Sequence, residues 1–132
     1  MLLSFEDAFM DVQSGMVSLC LEFVNNDVDK IYIYVYQERG MSKFNAFFKK
    51  DGKIILVDDL GDDTLIDKFF DCGLEDIEKL INTCERYKHK CPNEIKMTYD
   101  VKSGQFDANY RYEVVDYPDM ELINWMEKEK EN

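Results

Sequence analysis

The sequence has little of what sites of catalysis or metal binding usually require. It holds one histidine, His89, and four cysteines, none of which forms a C-x-x-C pair. Gly-rich phosphate loops and the G-x-S-x-G pattern of serine nucleophile elbows are absent. We therefore expect no catalytic residue, no metal site and no cofactor, and a protein that is not an enzyme. The alternative is an enzyme with an unrecognised site, in which Cys84 or Cys91 lies near His89.

Positive charge is also scarce. The chain has 16 Lys and Arg against 28 Asp and Glu, for a net charge of −12. Such a field repels phosphate groups, which argues against nucleic-acid binding, and it speeds the encounter with a basic protein. Many cytoplasmic proteins are acidic simply for solubility, so charge alone leaves both interpretations open.

Long apolar runs are missing too. No run approaches the roughly 18 residues of a membrane span, and residues 1–7 lack the basic region and cleavage site of a signal peptide. We expect a cytoplasmic protein with no membrane contact. In that compartment the cysteines stay reduced, and we interpret them as small apolar core residues.

What is present is a clear succession of helix and strand patterns. A helix follows the N-cap residue Ser4, because its apolar residues recur every three or four positions: Phe5, Phe9, Val12, Met16, Leu19 and Phe23. Alternating residues predict three strands, at Lys30–Tyr36, Lys43–Lys50 and Lys53–Asp58. Asp51-Gly52 predicts a tight hairpin turn, and the apolar character of both faces of the third strand predicts a central position.

The second half continues with helices and two further strands. We predict helices at about Thr64–Asp71 and Leu74–Lys88, strands at Glu94–Val101 and Gln105–Val114, and a helix from Pro118. Residues 1–132 therefore form one α+β domain, with an antiparallel sheet of about five strands, helices packed on one face, and the order α-β-β-β-α-α-β-β-α. Tyr99, Tyr110 and Tyr112 share strand rows with aliphatic residues and are expected inside.

Tyr32, Tyr34 and Tyr36, here called the tyrosine row, alternate with Ile31, Ile33 and Val35 along the first strand. Alternation alone leaves two arrangements open. The tyrosine row is exposed and anchors a partner, or it faces a core while the aliphatic row faces another layer.

Three segments carry a resemblance to a known family. They are Asp29–Tyr34, the pair Phe47-Phe48, and above all Ser103–Glu113, where a turn glycine precedes a strand of the form Phe-x-x-x-aromatic-x-Tyr-Glu. With the order of helices and strands, these segments resemble the YezG-like immunity proteins (antitoxins) of Gram-positive bacteria. The resemblance covers most of the chain.

The resemblance implies a function. Such proteins bind and neutralise a secreted toxin inside the producing cell, commonly a nuclease exported with an LXG-type or similar targeting domain. From charge, we predict contacts with such a basic toxin domain at Asp58, Asp59, Asp62, Asp63, Asp107, Glu113 and Asp116, with Tyr32, Tyr34 and Tyr36 as anchors. The alternative is a structural or adaptor domain that self-associates. The chain is then a homodimer rather than a monomer.

Overall fold

A computed structural model describes residues 4–131. Within this range, three helices, five strands and one short 3-10 turn follow each other: α1 (Phe5–Phe23), β1 (Lys30–Glu38), β2 (Met41–Lys50), β3 (Lys53–Leu56), the 3-10 turn (Val57–Asp59), α2 (Asp63–Arg86), β4 (Glu94–Asp100), β5 (Phe106–Arg111) and α3 (Pro118–Lys130). The α+β class and the order of helical and strand segments agree with the prediction, apart from the number of helices between β3 and β4. Residues 1–3, which belong to the segment tested for a signal peptide, lie outside the described range.

The five strands form one antiparallel sheet in the order β3-β2-β1-β4-β5. The β2–β3 turn is as predicted, since Asp51 and Gly52 have φ angles of 52° and 78°, which a type I′ turn requires. The predicted central position of β3 is wrong, because β3 lies at one edge and β1 is central. Both faces of β3 carry an apolar residue because Ile55 packs on one layer of the core and Ile54 on the other.

Those helices form two layers rather than one. Helices α1 and α2 cover the face that carries Ile31, Ile33 and Val35, and this layer holds most of the core. Helix α3 lies on the opposite face, where Leu122 and Trp125 pack against the tyrosine row. The prediction that helices pack on one face is therefore corrected, since the sheet is the middle of three layers.

Helix α1 begins as predicted, because the Ser4 Oγ accepts a hydrogen bond from the Asp7 N–H at 3.1 Å. The two helices predicted between β3 and β4 are one continuous helix, α2. Gly73, where a break was expected, lies inside it. A Cβ atom built on Gly73 would lie 2.1 Å from the Phe44 ring, so this glycine allows α2 to lie close to β2.

Two of the tyrosines predicted inside are exposed. Tyr110 and Tyr112 lie on or directly after the edge strand β5, where no further strand covers them. The Tyr110 ring contacts Phe9, and its hydroxyl donates to Gln13 Oε1 at 3.2 Å. The row was identified correctly, but its position at the sheet edge leaves these rings partly in solvent.

Candidate partner-binding surfaces

The first candidate surface is the acidic turn, which we define as Asp58, Asp59, Asp62 and Asp63. All four are exposed and lie between β3 and the first turn of α2. Asp59 accepts a hydrogen bond from the Leu56 N–H at 3.0 Å, and Asp62 accepts one from the Leu65 N–H at 2.9 Å. These two carboxylates therefore stabilise the local backbone as well as contributing negative charge.

The other three predicted carboxylates lie on the far side of the sheet. Asp107 and Glu113 are exposed on or just after the edge strand β5, whereas Asp116 is exposed in the following loop, next to Val115, whose carbonyl oxygen lies 3.2 Å from the Tyr36 hydroxyl of β1. Because β3 and β5 are opposite edges, four strand spacings separate them, about 19 Å. The structure thus keeps the four residues of the acidic turn together but spreads the other three along and beyond β5, because the six residue steps from Asp107 to Glu113 span about 20 Å of extended chain.

The tyrosine row is core and not surface. Tyr32, Tyr34 and Tyr36 are buried beneath α3 and the loop before it. The Tyr32 ring stacks on Phe47, with a centroid distance of 4.5 Å, and meets Trp125 edge-on. The interpretation of these tyrosines as exposed anchors is therefore corrected, because a partner can reach them only if α3 leaves the sheet.

Because these rings are buried, their hydroxyl groups need hydrogen-bond partners within the protein. Burial raises the pKa of the Tyr32 hydroxyl to about 12, and the nearby Glu129 carboxylate adds to the shift. The Tyr36 hydroxyl lies 3.2 Å from the Val115 carbonyl oxygen and 3.0 Å from Glu38 Oε2. All three rings are neutral at physiological pH, and the loop at Val115 belongs to their enclosure.

A network of charges that the sequence analysis missed lies between the sheet and α3. Its centre is Glu94, whose side chain is buried and accepts a hydrogen bond from the Tyr34 hydroxyl at 2.6 Å. Arg111 Nη1 lies 3.5 Å from Glu94 Oε1, and Lys96 Nζ lies 3.9 Å from it. Burial, aided by the Glu94 carboxylate, raises the pKa of Tyr34 well above its ordinary value.

Helix α3 joins this network through Glu121. Its carboxylate lies 3.2 Å from Arg111 Nη1 and 3.4 Å from Lys96 Nζ. Partial burial raises the pKa of Glu121, but Arg111 and Lys96 outweigh that effect and lower it. In the sequence, Lys96 and Arg111 alternate with the apolar residues of the last two strands, a pattern that favours a solvated sheet face for both. One sequence signal indicates that this face is buried: it also carries the tyrosine row of β1, which a solvent-exposed face would not be expected to hold.

A third surface is the outer side of α3. Leu122, Trp125 and Met126 point toward the sheet, whereas Met120 and Ile123 are exposed. Tyr117, directly before the helix, is exposed as well. The Glu121 N–H donates to the Tyr117 carbonyl oxygen at 3.1 Å, so Tyr117 is fixed to the first turn. Exposed apolar side chains thus follow one side of this helix.

Two features bear on the enzymatic alternative. His89 is exposed, stacks on Phe5 with a centroid distance of 4.0 Å, and has Nδ1 2.8 Å from the Lys90 carbonyl oxygen. An open groove of about 490 Å³ lies between α1 and α2 and is lined by Ala8, Asp11, Val12, Lys79, Asn82, Thr83 and Arg86. His89 and the predicted carboxylates do not line this groove.

Burial raises the pKa of Cys91 to about 12, which keeps its thiol protonated. Within residues 4–131, no three His, Cys, Asp or Glu side chains are grouped so that they could hold a metal ion. None of the helices in this described range is long and apolar enough to cross a membrane.

Comparison of the sequence with protein-family models gives no match, and comparison with curated proteins gives none either. The family resemblance therefore depends on the quoted segments alone.

Proposed function

We propose that this chain is an immunity protein that binds and neutralises a secreted toxin, a nuclease, in the cytoplasm of the producing bacterium. The observation that carries the proposal is that all seven predicted carboxylates are exposed in a chain of net charge −12. Nucleases have basic substrate grooves, and a protein with exposed negative charge on two edges can occupy such a groove in place of the polyanion.

The resemblance to the YezG-like immunity proteins supports the same function. Its strongest segment, Ser103–Glu113, forms the turn before β5, β5 itself and the residues directly after it. Within it, Gly104 has a φ of 77°, which the turn requires, and two of the predicted contacts, Asp107 and Glu113, are exposed. The partner in this proposal is a basic toxin domain, of the LXG-exported type.

The test is made with the C-terminal domain of the polypeptide encoded directly upstream of this chain. Co-expression with this chain is expected to restore growth, and the purified pair is expected to form a 1:1 complex whose association rate falls as salt rises. Asp58→Lys with Asp63→Lys is expected to lower the association rate about tenfold, while the two capping carboxylates Asp59 and Asp62 stay in place.

A matched control changes net charge equally at another place. Glu75→Lys with Glu78→Lys alters two exposed residues of α2. If this control slows association as much as the Asp58 and Asp63 variant does, the acidic turn has no special role. If the wild-type chain neither binds the domain nor restores growth, the proposed function is wrong.

A second candidate function is a structural or adaptor role through self-association. The exposed apolar residues on α3 favour it, because a homodimer needs one self-complementary patch. The net charge of −12 opposes it, since two copies repel each other. Light scattering of the isolated chain separates the two functions, because a stable dimer without partner supports self-association.

A further inference from the structure

The outer side of α3 carries a row of apolar side chains that the fold does not use. We define the α3 stripe as Tyr117, Met120 and Ile123, whose exposed fractions are 73%, 51% and 47%. A spacing of three residues makes them neighbours along one side of the helix. Helix α3 already packs on the sheet through Leu122 and Trp125, so the α3 stripe adds nothing to the core.

Single exposed apolar residues are ordinary, but a row of them is typical of an interaction site. Tyrosine and methionine are enriched at the centres of protein interfaces, where they bury a large area. The α3 stripe is also held firmly. Trp125 packs on Phe47 with a centroid distance of 5.1 Å, Glu121 pairs with Arg111, and Lys43 forms an ion pair with Asp119 at the start of the helix.

The segment that carries the α3 stripe has charge of one sign, although Lys43, Lys96 and Arg111 of the sheet pair with some of its carboxylates. Residues 112–127 contain five carboxylates, Glu113, Asp116, Asp119, Glu121 and Glu127, and no Lys, Arg or His. Ion pairs with neighbouring bases leave 74%, 80% and 62% of the Glu113, Asp119 and Glu127 side chains exposed. An apolar centre with an acidic rim complements a surface that has an apolar pocket bordered by Lys and Arg.

We propose that the α3 stripe is the anchor that a basic protein partner buries. This inference rests on the proposed function, in which that partner is the toxin domain. The two surfaces then have different tasks. The acidic turn, which follows the edge strand β3, accelerates the encounter, whereas the α3 stripe holds the complex together.

Rates of association and dissociation separate these tasks. We expect Tyr117→Ala with Met120→Ala to raise the dissociation rate from the upstream-encoded C-terminal domain about 10- to 100-fold and to change the association rate less than about threefold. The matched control is Met10→Ala with Leu74→Ala, which truncates two exposed helical residues on the opposite layer. This control is expected to leave both rates within about threefold of wild type.

Trp125 fluorescence and circular dichroism show whether α3 stays on the sheet in each variant. Ile123→Lys is a second variant, which places a positive charge toward the basic partner and is also expected to raise the dissociation rate. If wild type binds and neutralises the domain but dissociation is unchanged in both variants, the α3 stripe is not the anchor and the proposed function stands. If wild type does not bind the domain, both proposals are wrong. If the isolated chain is a dimer that Tyr117→Ala with Met120→Ala converts to monomer, a second copy covers the stripe and the anchor proposal is overturned.

Discussion

The two faces of the central sheet are built from different chemistry, although the same strands supply both. Neighbouring residues Phe47 and Phe48 of β2 show the contrast, since both are fully buried and point to opposite sides. On the side of Phe48, aliphatic rows from β1 and β4 meet α1 and α2. On the side of Phe47, the tyrosine row and the buried Glu94 meet the single helix α3.

This difference explains why dense packing alone stabilises one layer, whereas the other layer also needs hydrogen-bond partners at fixed positions. Ile31, Ile33 and Val35 have no polar atoms in their side chains, so any dense apolar cover stabilises them. Each buried tyrosine hydroxyl needs a hydrogen-bond partner, because an unpaired one costs about 1–3 kcal/mol. The α3 side therefore requires Glu94 and the Val115 carbonyl group to be in place at the same time.

The largest expected effect comes from the Phe47 and Phe48 pair. Each change to alanine removes a fully buried ring and is expected to cost about 3–5 kcal/mol. Because Phe48 lies in the main core, Phe48→Ala should shift the whole unfolding transition. Phe47→Ala removes the ring contacts to Tyr32 and Trp125, so α3 should separate from the sheet first.

The measurement is urea unfolding followed by circular dichroism and by fluorescence of Trp125, the single tryptophan. We expect the two signals to move together in Phe48→Ala and to separate in Phe47→Ala, with fluorescence changing at lower urea. If the two signals also coincide in Phe47→Ala, the two layers unfold as one unit and do not differ in how they are stabilised.

A smaller effect is expected from the buried carboxylate. Glu94→Ala leaves the Tyr34 hydroxyl without its acceptor and Arg111 without a buried partner, and is expected to cost about 2–4 kcal/mol in denaturant unfolding. The matched control is Glu113→Ala, which removes another carboxylate 3.3 Å from the same Arg111 but mostly exposed, and should cost under about 0.5 kcal/mol. Equal effects would mean that Glu94 contributes only a surface ion pair.

The smallest effect concerns how closely α2 lies on the aliphatic side. Gly73→Ala places a Cβ atom against the Phe44 ring and is expected to destabilise the protein by about 1–2 kcal/mol, after the gain in helix propensity. Gly15→Ala in α1 meets nothing within 4 Å and is expected to stabilise it by about 0.5–1 kcal/mol. Thermal unfolding of both variants measures the difference. If Gly73→Ala instead stabilises the protein, α2 can move away from β2 without a loss of stability.

Local patterns were sufficient to predict most of the elements. The bounds of α1 agree with the prediction because the period of its apolar residues and the cap at Ser4 are properties of neighbouring residues. The same holds for the Asp51-Gly52 turn, whose φ angles depend on two residues. Exposure of the carboxylates in the acidic turn also followed from the sequence, because charged residues stay in solvent unless a partner compensates them.

Features that depend on distant residues were not predictable. The edge position of β3, the burial of the tyrosine row and the exposure of Tyr110 depend on which strand pairs with which and on where α3 lies. Glu94 shows this most clearly. Its partners Tyr34 and Arg111 lie 60 and 17 positions away, and only Lys96, two positions away, is near in the chain. Glu121, which Lys96 and Arg111 connect to Glu94, lies 27 positions away. Nothing near Glu94 in the chain distinguishes it from a solvent-exposed strand residue.

The sequence by itself determined the class of fold, the succession of helices and strands, and the negative charge, because periodicity, turn residues and charge are local or additive properties. Only the tertiary structure decided that the sheet is covered on both sides, that the tyrosine row is core, and that the predicted acidic residues do not form one cluster. The physical reason is that an alternating strand has two faces of equal geometry. Which face becomes core depends on where the helices pack, and the sequences of the helices do not determine this by themselves.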